Sequence, residues 1–507
     1  MDILAGHAER QPDRVALIED DRHLTWRHFV EQRNRLARGL RALGVEPGEH
    51  LVLWAQNSLE YLLASAAARA AGALPVPMNH RLTLDEAAYI LEDAEARTVV
   101  ASEAFVPLAE RLRERVPAVR RWIVVGNDRR PWATPLEALL ATTDAAPLEP
   151  PAAPPGSMIY TAGTTGKPKG ARRQVLDVAV NLPRFEALGC LDPAHVHLVA
   201  GPLYHSAPGG FATLALALGQ TVVVMRKFDA EGALATIARH RCTTTFMAPT
   251  LLKRIVDLPE DVRRRYDVSS MRSIVVAAAP CPMRVKEEVL RHFGPVLYEF
   301  YGSTELGINT VLRPEDVLRK PHSCGRAAPG IELAILDEDG RPLPPGHPGE
   351  LHVRRHPGAF DGYWNRPDAT QETARGEWLT VGDVAWMDDE GFVYICDRKR
   401  DMIISGGVNI YPAEIEDVLH RHPAVDDAAV FGVPDDEWGE RVHAAVRVRP
   451  GAPVTAADLI AFARQHLAGY KVPRDVSFHE DFPRDGAGKL VKRLLREPYW
   501  AGRATRV

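Results

Sequence analysis

The segment at residues 160–170, YTAGTTGKPKG, concentrates groups that can bind a chain of phosphates. Its three glycines let the backbone approach a ligand closely, and its three threonines and two lysines supply hydrogen-bond donors. It is not a Walker A loop, because Pro168 stands where that motif has the Ser or Thr that holds magnesium. An ordinary solvated turn needs far fewer special residues, so the segment predicts a polyphosphate-binding loop.

Three other segments contain a histidine, a carboxylate or a lysine among turn residues: 203–208 (LYHSAP), 299–305 (EFYGSTE) and 483–490 (PRDGAGKL). Each also has a structural explanation, since a lone histidine is more often a structural residue and a Gly-x-Gly-Lys turn is unremarkable.

The elements that must position these segments alternate along the chain. Apolar periodicity predicts helices at 27–43 and 84–93, and β-branched runs predict strands at 98–101, 122–125, 221–225 and 273–277. This alternation favours α/β units around largely parallel sheets. After residue 330, short strands between Gly, Pro and Asp turns predict an antiparallel or barrel-like subdomain, followed from about residue 401 by a compact α+β segment.

Composition restricts the class of protein. The chain has 507 residues, with 62 basic against 67 acidic side chains and a net charge of −5, which disfavours a polybasic nucleic-acid binder. We find no signal peptide or membrane span in the sequence and expect a cytoplasmic location. The five cysteines are scattered and support neither a disulfide scaffold nor a zinc site. Only ten of the basic residues are lysines, so the position of each lysine is informative.

The order and spacing of the motifs resemble those of the adenylate-forming superfamily, which includes acyl-CoA synthetases, luciferases and peptide-synthetase adenylation domains. The resemblance covers essentially the whole chain, including GELHVR at 349–354, GYWNRP at 362–367 and WLTVGD at 378–383. It implies a large N-terminal domain (1–398) with two α/β sheet subdomains and a β-barrel-like subdomain, and a small mobile α+β C-terminal domain (399–507). The hinge would lie near Arg400, where the family more often has Asp or Lys.

The resemblance also implies a role for individual residues. The catalytic residues would be Lys489, Glu305 (the Mg²⁺ ligand), Thr161 and His205. The ATP-binding residues would be Thr161, Ala162, Gly163, Thr164, Thr165, Gly166, Lys167, Ala278, Ala279, Pro280, Glu299, Phe300, Tyr301, Gly302, Ser303, Thr304, Asp383, Ile395, Arg398 and Lys489. The acid pocket would be formed by His205, Ser206, Ala207, Gly209, Phe246, Ala278, Gly302, Leu306, Gly307 and Ile308, and the CoA channel by Gly406 and Gly407.

The reaction implied by the resemblance uses ATP, Mg²⁺ and CoA. A carboxylic acid would be converted to an acyl-adenylate with release of pyrophosphate, and CoA would then take the acyl group. The pocket motif around His205 has no acidic residue to hold an ammonium group, which favours a non-amino acid. Small and apolar pocket residues favour a medium or long fatty acid first, a bulky alicyclic acid (steroid or terpenoid) second and an aryl acid third.

Several alternatives remain open from sequence alone. Because no carrier domain follows Lys489, CoA is the expected acceptor rather than a carrier protein. A luciferase-like oxidase would share nearly all these motifs, and a non-catalytic nucleotide-binding protein would have little need for both Glu305 and Lys489. The sequence leaves a homodimer possible.

Overall fold

The computed structural model describes residues 2–126, 128–142, 144–151, 155–161, 167–173, 179–398, 401–405, 408–435, 438–484 and 490–501. Several predicted site residues lie outside these ranges: the phosphate-loop residues 162–166, the hinge residue Arg400, the channel glycines Gly406 and Gly407, and Lys489.

Two mainly parallel sheets form the centre of the N-terminal part. Within the described residues one sheet has the spatial order Leu297–Glu299, Ser273–Val276, Thr244–Met247, Val196–Val199, Thr221–Val224, Val15–Glu19 and Arg22–Thr25. The other has the order Leu74–Pro77, His50–Trp54, Thr98–Ser102, Arg121–Val125 and Thr134–Pro135. The central strands are buried on both faces, as their Val- and Ile-rich sequences predict for parallel strands.

Helices cover both faces of these sheets, and further helices lie in the C-terminal part of the chain. They are Ile3–Arg10, Trp26–Ala42, Leu59–Ala70, Leu84–Asp93, Val106–Arg115, Leu136–Thr142, Leu182–Ala187, Ser206–Ala217, Ala230–His240, Pro249–Val256, Glu260–Arg263, Met283–Phe293, Pro367–Glu372, Pro412–His420, Ala456–His466 and Lys492–Trp500. The six helices and strands predicted in the N-terminal part are confirmed to within one residue at each end. Each helix in the described part of the chain is too short or too polar to span a lipid bilayer.

Smaller antiparallel sheets surround the candidate site. One contains Leu333–Leu336, Gly349–Arg354, Ala374–Arg375, Trp378–Leu379, Asp383–Met387 and Val393–Arg398, and another contains Ser157–Thr161, Lys169–Arg173 and Gly362–Tyr363. The first confirms the antiparallel pattern predicted after residue 330, although its hydrogen bonds among described residues leave it open rather than closed into a barrel.

The C-terminal part has its own sheet and its own core. The strands are Ile403–Ser405, Val408–Ile410, Val425–Asp435, Gly439–Val448 and Asp475–Phe478. A buried apolar cluster that includes Ile403, Ile415 and Val430 packs within this part. Lys253 Nζ lies 2.6 Å from Asp426 Oδ1 and thereby joins it to the N-terminal part. The predicted domain boundary at 398/399 stays a prediction.

Candidate active site

The ends of the phosphate loop are fixed by a hairpin anchored on Asp93. Strand Ser157–Thr161 pairs antiparallel with Lys169–Arg173. Tyr160 Oη donates to Asp93 Oδ2 at 2.8 Å, and Arg366 Nη2 donates to Asp93 Oδ1 at 2.6 Å. Burial and this hydrogen bond raise the pKa of Tyr160, so its hydroxyl remains a donor.

Asp93 has this position because it ends a well-defined helix. Helix Leu84–Asp93 begins with a capping box in which Thr83 and Glu86 satisfy each other's backbone amides. Sequence reasoning did not identify Asp93 or Arg366 as loop anchors. No local signal could have done so, because Asp93 is separated from Tyr160 by 67 positions and from Arg366 by 273.

Glu305 lies directly beside the start of the phosphate loop. Its side chain is buried, and Oε1 accepts hydrogen bonds from Thr161 Oγ1 at 3.1 Å and from Tyr363 Oη at 2.9 Å. Both donors are neutral, so the negative charge of the carboxylate is not cancelled by them. Thr161 and Glu305 were predicted to lie in one site, and the structure brings them together. Tyr363 was not predicted from the sequence.

The surroundings of Glu305 fit a magnesium ion whose other ligands are water and substrate phosphates. No described residue donates a hydrogen bond to the second oxygen of Glu305, and the described ranges contain no group of three or more acidic, His or Cys side chains that could hold a metal. Mg²⁺ is commonly bound by one or two carboxylates together with substrate phosphates and water, so a single carboxylate beside a phosphate loop suits it.

Tyr301 and Asp383 form the second part of the site. Tyr301 Oη donates to Asp383 Oδ2 at 2.5 Å, and Asp383 is buried at the start of strand Asp383–Met387. Tyr301 and Ile395 pack against the same apolar cluster, and the backbone of Arg398 pairs with Asp383. Tyr301 is thus brought from a distant segment to the pair of strands that carries Asp383, Ile395 and Arg398, all predicted to bind the nucleotide.

Glu299 has a different environment from the one expected for a nucleotide contact. Its carboxylate forms an ion pair with Lys286 Nζ, and the two side chains are 10% and 2% exposed. Burial alone would lower the pKa of Lys286, but the Glu299 carboxylate outweighs burial and raises it. The Glu299 side chain therefore supports the strand that leads into Phe300 and Tyr301, and the motif alone did not indicate Lys286.

Ala278 occupies a backbone conformation that L-residues rarely adopt. It follows strand Ser273–Val276, has a φ of 77° and is exposed. An alanine in this region costs roughly 1–2 kcal/mol. Such strain often occurs where the chain must present its backbone to a ligand. Ala279 and Pro280 continue this turn.

The predicted acid-pocket residues fall into two groups. His205 is the N-cap of helix Ser206–Ala217, and its ring centroid lies 4.2 Å from that of Tyr204. Ala207, Phe246 and Ile308 belong to one apolar cluster, together with Phe300. Phe211, which sequence reasoning missed, also belongs to it, with its ring centroid 5.4 Å from that of Phe246; its only sequence signal was an apolar helix position.

Leu306 does not join that apolar cluster. Its side chain is buried in a separate cluster with Val353, Ala359 and Leu379. The main chain around it is tight, because a Cβ on Gly302 would lie 2.1 Å from the carbonyl oxygen of Gly307. Leu306 therefore anchors the turn that carries Glu305 rather than lining the same wall as Phe246.

Comparisons with known proteins agree with this arrangement. Residues 4–364 match the AMP-binding enzyme family, and residues 414–489 match the AMP-binding enzyme C-terminal domain. The chain is 33% identical to the fatty acid–[acyl-carrier-protein] ligase ScoC of Streptomyces coeruleorubidus, over 99% of this chain and 96% of ScoC. It is 35% identical to a feruloyl-CoA synthase from an Amycolatopsis species, over 97% of each chain.

A solved structure has the same overall fold. The anthranilate CoA ligase AuaEII in complex with anthranoyl-AMP superposes with a TM-score of 0.91 and 28% identity, over 99% of this chain and 98% of AuaEII. The predicted α/β fold with a separate C-terminal domain and the predicted enzyme class, an AMP-forming acid–thiol ligase, are confirmed. This chain belongs to the AMP-binding enzyme family, the adenylate-forming enzymes that its motifs resemble.

Proposed function

We propose that this enzyme activates a hydrophobic carboxylic acid as an acyl-adenylate and transfers the acyl group to CoA. The observation that carries this proposal is the hydrogen bond between Thr161 and Glu305. It joins the phosphate-loop hairpin to the turn that follows Tyr301, so that groups suited to phosphates, a cation and a nucleoside lie at one place.

In the first half-reaction, the substrate carboxylate attacks the α-phosphorus of ATP and pyrophosphate leaves. Charge accumulates on the phosphoryl oxygens, so the protein contributes mainly positioning and electrostatic stabilisation. The phosphate loop and Lys167, whose side chain is exposed beside the Tyr89 ring, would hold the departing phosphates. Glu305 would hold Mg²⁺, which supplies charge neutralisation on the phosphate oxygens.

The remaining contacts would orient the nucleotide and the acid. Tyr301 would pack on adenine while its hydroxyl holds Asp383, whose carboxylate would accept from the ribose hydroxyls. Lys489 would bridge the acid carboxylate and the α-phosphate. This assignment rests on the resemblance of PRDGAGKL to the lysine-bearing loop of the family.

In the second half-reaction, the C-terminal domain rotates about Arg400. The CoA thiol then loses its proton and attacks the carbonyl carbon of the acyl-adenylate, so that the acyl–phosphate bond breaks, AMP leaves and the thioester forms. Gly406 and Gly407 would line the channel for the pantetheine arm. The contact between Lys253 and Asp426 is compatible with such a movement, because partly exposed ion pairs contribute only about 0–1 kcal/mol. A homodimer and a cytoplasmic location stay predictions.

The acid is proposed to be a medium or long fatty acid. The apolar cluster around Phe246 and Phe300 and the absence of an acidic side chain beside His205 support a hydrophobic acid without an amino group. An alicyclic acid fits the same facts. An aryl acid is a further candidate, because the rings of Phe211 and Phe246, with an interplanar angle of 26°, suit stacking against another aromatic ring.

The test is acid-dependent ATP–pyrophosphate exchange across fatty, alicyclic and aryl acids, followed by CoA addition and mass detection of the thioester. A thioester with CoA supports the proposal, whereas light or an oxidised product without CoA indicates a luciferase-like enzyme. Absence of exchange with every acid indicates a non-catalytic binder.

Lys489 can be tested by separating the two half-reactions. Lys489→Ala should lose exchange but still convert supplied acyl-adenylate to thioester. Lys471 of the same domain pairs with Glu414, and Lys471→Ala should keep both half-reactions. Equal loss of both half-reactions in Lys489→Ala would contradict the assignment.

A further inference from the structure

The turn that carries Glu305 is held by three consecutive backbone carbonyl groups. Each carbonyl oxygen accepts a hydrogen bond from a different donor. The pairs are Thr304 O with Arg173 Nη2 (2.5 Å), Glu305 O with Phe360 N (2.7 Å) and Leu306 O with His356 Nε2 (3.1 Å). Two of the three donors come from the 355–361 loop, which follows strand Gly349–Arg354.

Arg173 connects this loop to the turn. Its Nε donates to Gly358 O at 3.2 Å while its Nη2 donates to Thr304 O. Burial lowers the pKa of Arg173, but from its high usual value the guanidinium remains charged at neutral pH. The loop, strand Lys169–Arg173 and the Glu305 turn are therefore joined by hydrogen bonds rather than by apolar contact alone.

His356 is held in one tautomer by its neighbours. Its Nδ1 accepts from Gly358 N at 3.1 Å and lies 3.3 Å from Arg184 Nη2, which is a donor. With Nδ1 accepting, the proton is on Nε2 and is donated to Leu306 O. Burial, and then the positive charge of Arg184, lower the pKa of His356 to about 4, so the ring is neutral near pH 7.

The packing around His356 leaves little room for another arrangement. Arg184 is 3% exposed. A Cβ on Gly358 would lie 2.7 Å from Arg184 Nη1 and 3.3 Å from His356 Cε1. The Glu305 turn is closed by its own short hairpin, in which Gly302–Ser303 pairs antiparallel with Gly307–Ile308. The 355–361 loop adds hydrogen bonds to the carbonyl groups of Glu305 and Leu306, at the tip of that hairpin.

We propose that His356 is a positioning residue: its Nε2–H holds the Leu306 carbonyl and so keeps the Glu305 carboxylate oriented toward the cation and phosphates. The inference rests on the proposed function, since it assigns Glu305 the Mg²⁺ position. Groups that orient a metal-binding carboxylate typically change metal affinity by roughly 10- to 100-fold when they are removed. His356 touches neither the phosphates nor the cation in this scheme, and it acts through the turn.

The test is calorimetric titration with Mg·ATP and, separately, with ATP in the presence of EDTA. His356→Asn keeps an acceptor near the Nδ1 position but loses the Nε2 donor, and His356→Leu loses both. We expect each to weaken Mg·ATP binding about 10-fold, the lower end of the range for such groups, with a smaller change for metal-free ATP. His356→Gln places an amide N–H near the Nε2 position and should restore most of the affinity.

His352 provides a matched control, because it is a buried histidine on the preceding strand whose Nδ1 contacts Glu350 O. His352→Leu should bind Mg·ATP like the wild type. Wild-type affinity in folded His356→Asn, or equal losses in His356→Asn, His356→Gln and His352→Leu, would overturn the proposal. Failure of wild-type exchange with all acids would instead refute the proposed function, and the binding data would still report on His356.

Discussion

The buried ion pair between Lys286 and Glu299 makes a quantitative prediction about stability. Their side chains are 2% and 10% exposed, so neither charge has much water to stabilise it if the other is removed. Removing one partner of a buried pair costs about 3–5 kcal/mol, whereas replacing both with neutral groups of similar volume is often neutral or stabilising. Lys286→Met should therefore destabilise the N-terminal part by about 3–5 kcal/mol, and Lys286→Met/Glu299→Gln by much less.

The pH dependence of this loss has a definite sign. Burial raises the pKa of Glu299, and the Lys286 charge opposes that rise. In Lys286→Met only burial remains, so the folded-state pKa exceeds the unfolded value of about 4.5 and protonation favours folding. The free energy of unfolding of Lys286→Met should be only slightly below that of the wild type near the unfolded-state pKa of Glu299. The difference should grow as the pH rises toward and through the folded-state pKa of Glu299.

Urea unfolding of the wild type, Lys286→Met, Glu299→Gln and the double variant at about pH 5 and about pH 8 measures the loss of stability and its pH dependence. Binding of Mg·ATP should weaken in Lys286→Met, because strand Leu297–Glu299 leads directly to Phe300 and Tyr301. A loss below about 1 kcal/mol, the value for an exposed pair, would refute the reasoning. So would a deficit that grows as pH falls.

Three further predictions concern single contacts. Ala278→Gly removes backbone strain of roughly 1–2 kcal/mol at φ 77°, but the glycine raises the entropy of the unfolded chain, which costs about 0.5–1 kcal/mol. The midpoint of thermal unfolding should therefore be equal to that of the wild type or slightly higher. A clearly lower midpoint would contradict the strain at Ala278. Gly209→Ala places a Cβ 2.6 Å from Leu203 O, so it should lower the free energy of unfolding in urea by about 1–3 kcal/mol and weaken acid binding. A variant with wild-type stability and acid affinity would argue against this close approach. The coupling energy between Lys253 and Asp426 in a double-mutant cycle should be below about 1 kcal/mol and should decrease when salt is added. A larger coupling energy that does not depend on salt would instead indicate a rigid contact between the two parts of the chain.

Motif recognition predicted much of the candidate site, because the types and spacing of its residues are local properties. Tyr301 and Asp383 were assigned to one site from two separate motifs, and their side chains are hydrogen bonded. Thr161 and Glu305 were likewise assigned together and are in contact. Helix Leu84–Asp93 was predicted with its bounds because its apolar periodicity is encoded within ten neighbouring residues.

Contacts that join distant segments were not predictable in this way. Nothing local in RVKEE or EFYG shows that the side chains of Lys286 and Glu299 form a buried ion pair. His356 follows an ordinary strand, and only the fold brings its ring to the carbonyl of Leu306, 50 positions away. Asp93 is equally inconspicuous until Tyr160 and Arg366 converge on it.

Residue types and their spacing along the chain were enough to predict the family and the reaction class, both confirmed by the comparisons, and to name candidate residues for the chemistry, since a nucleotide loop, a carboxylate and a lysine require particular residue types at particular spacings. The tertiary structure decided which groups hold those residues in place. The physical reason is that a positioning contact depends on burial and on distances of about 3 Å between atoms of different elements, and packing of the elements sets both. Thr161, Glu305 and Tyr301 are evident from the chain; Tyr363 and His356 became evident only in the fold.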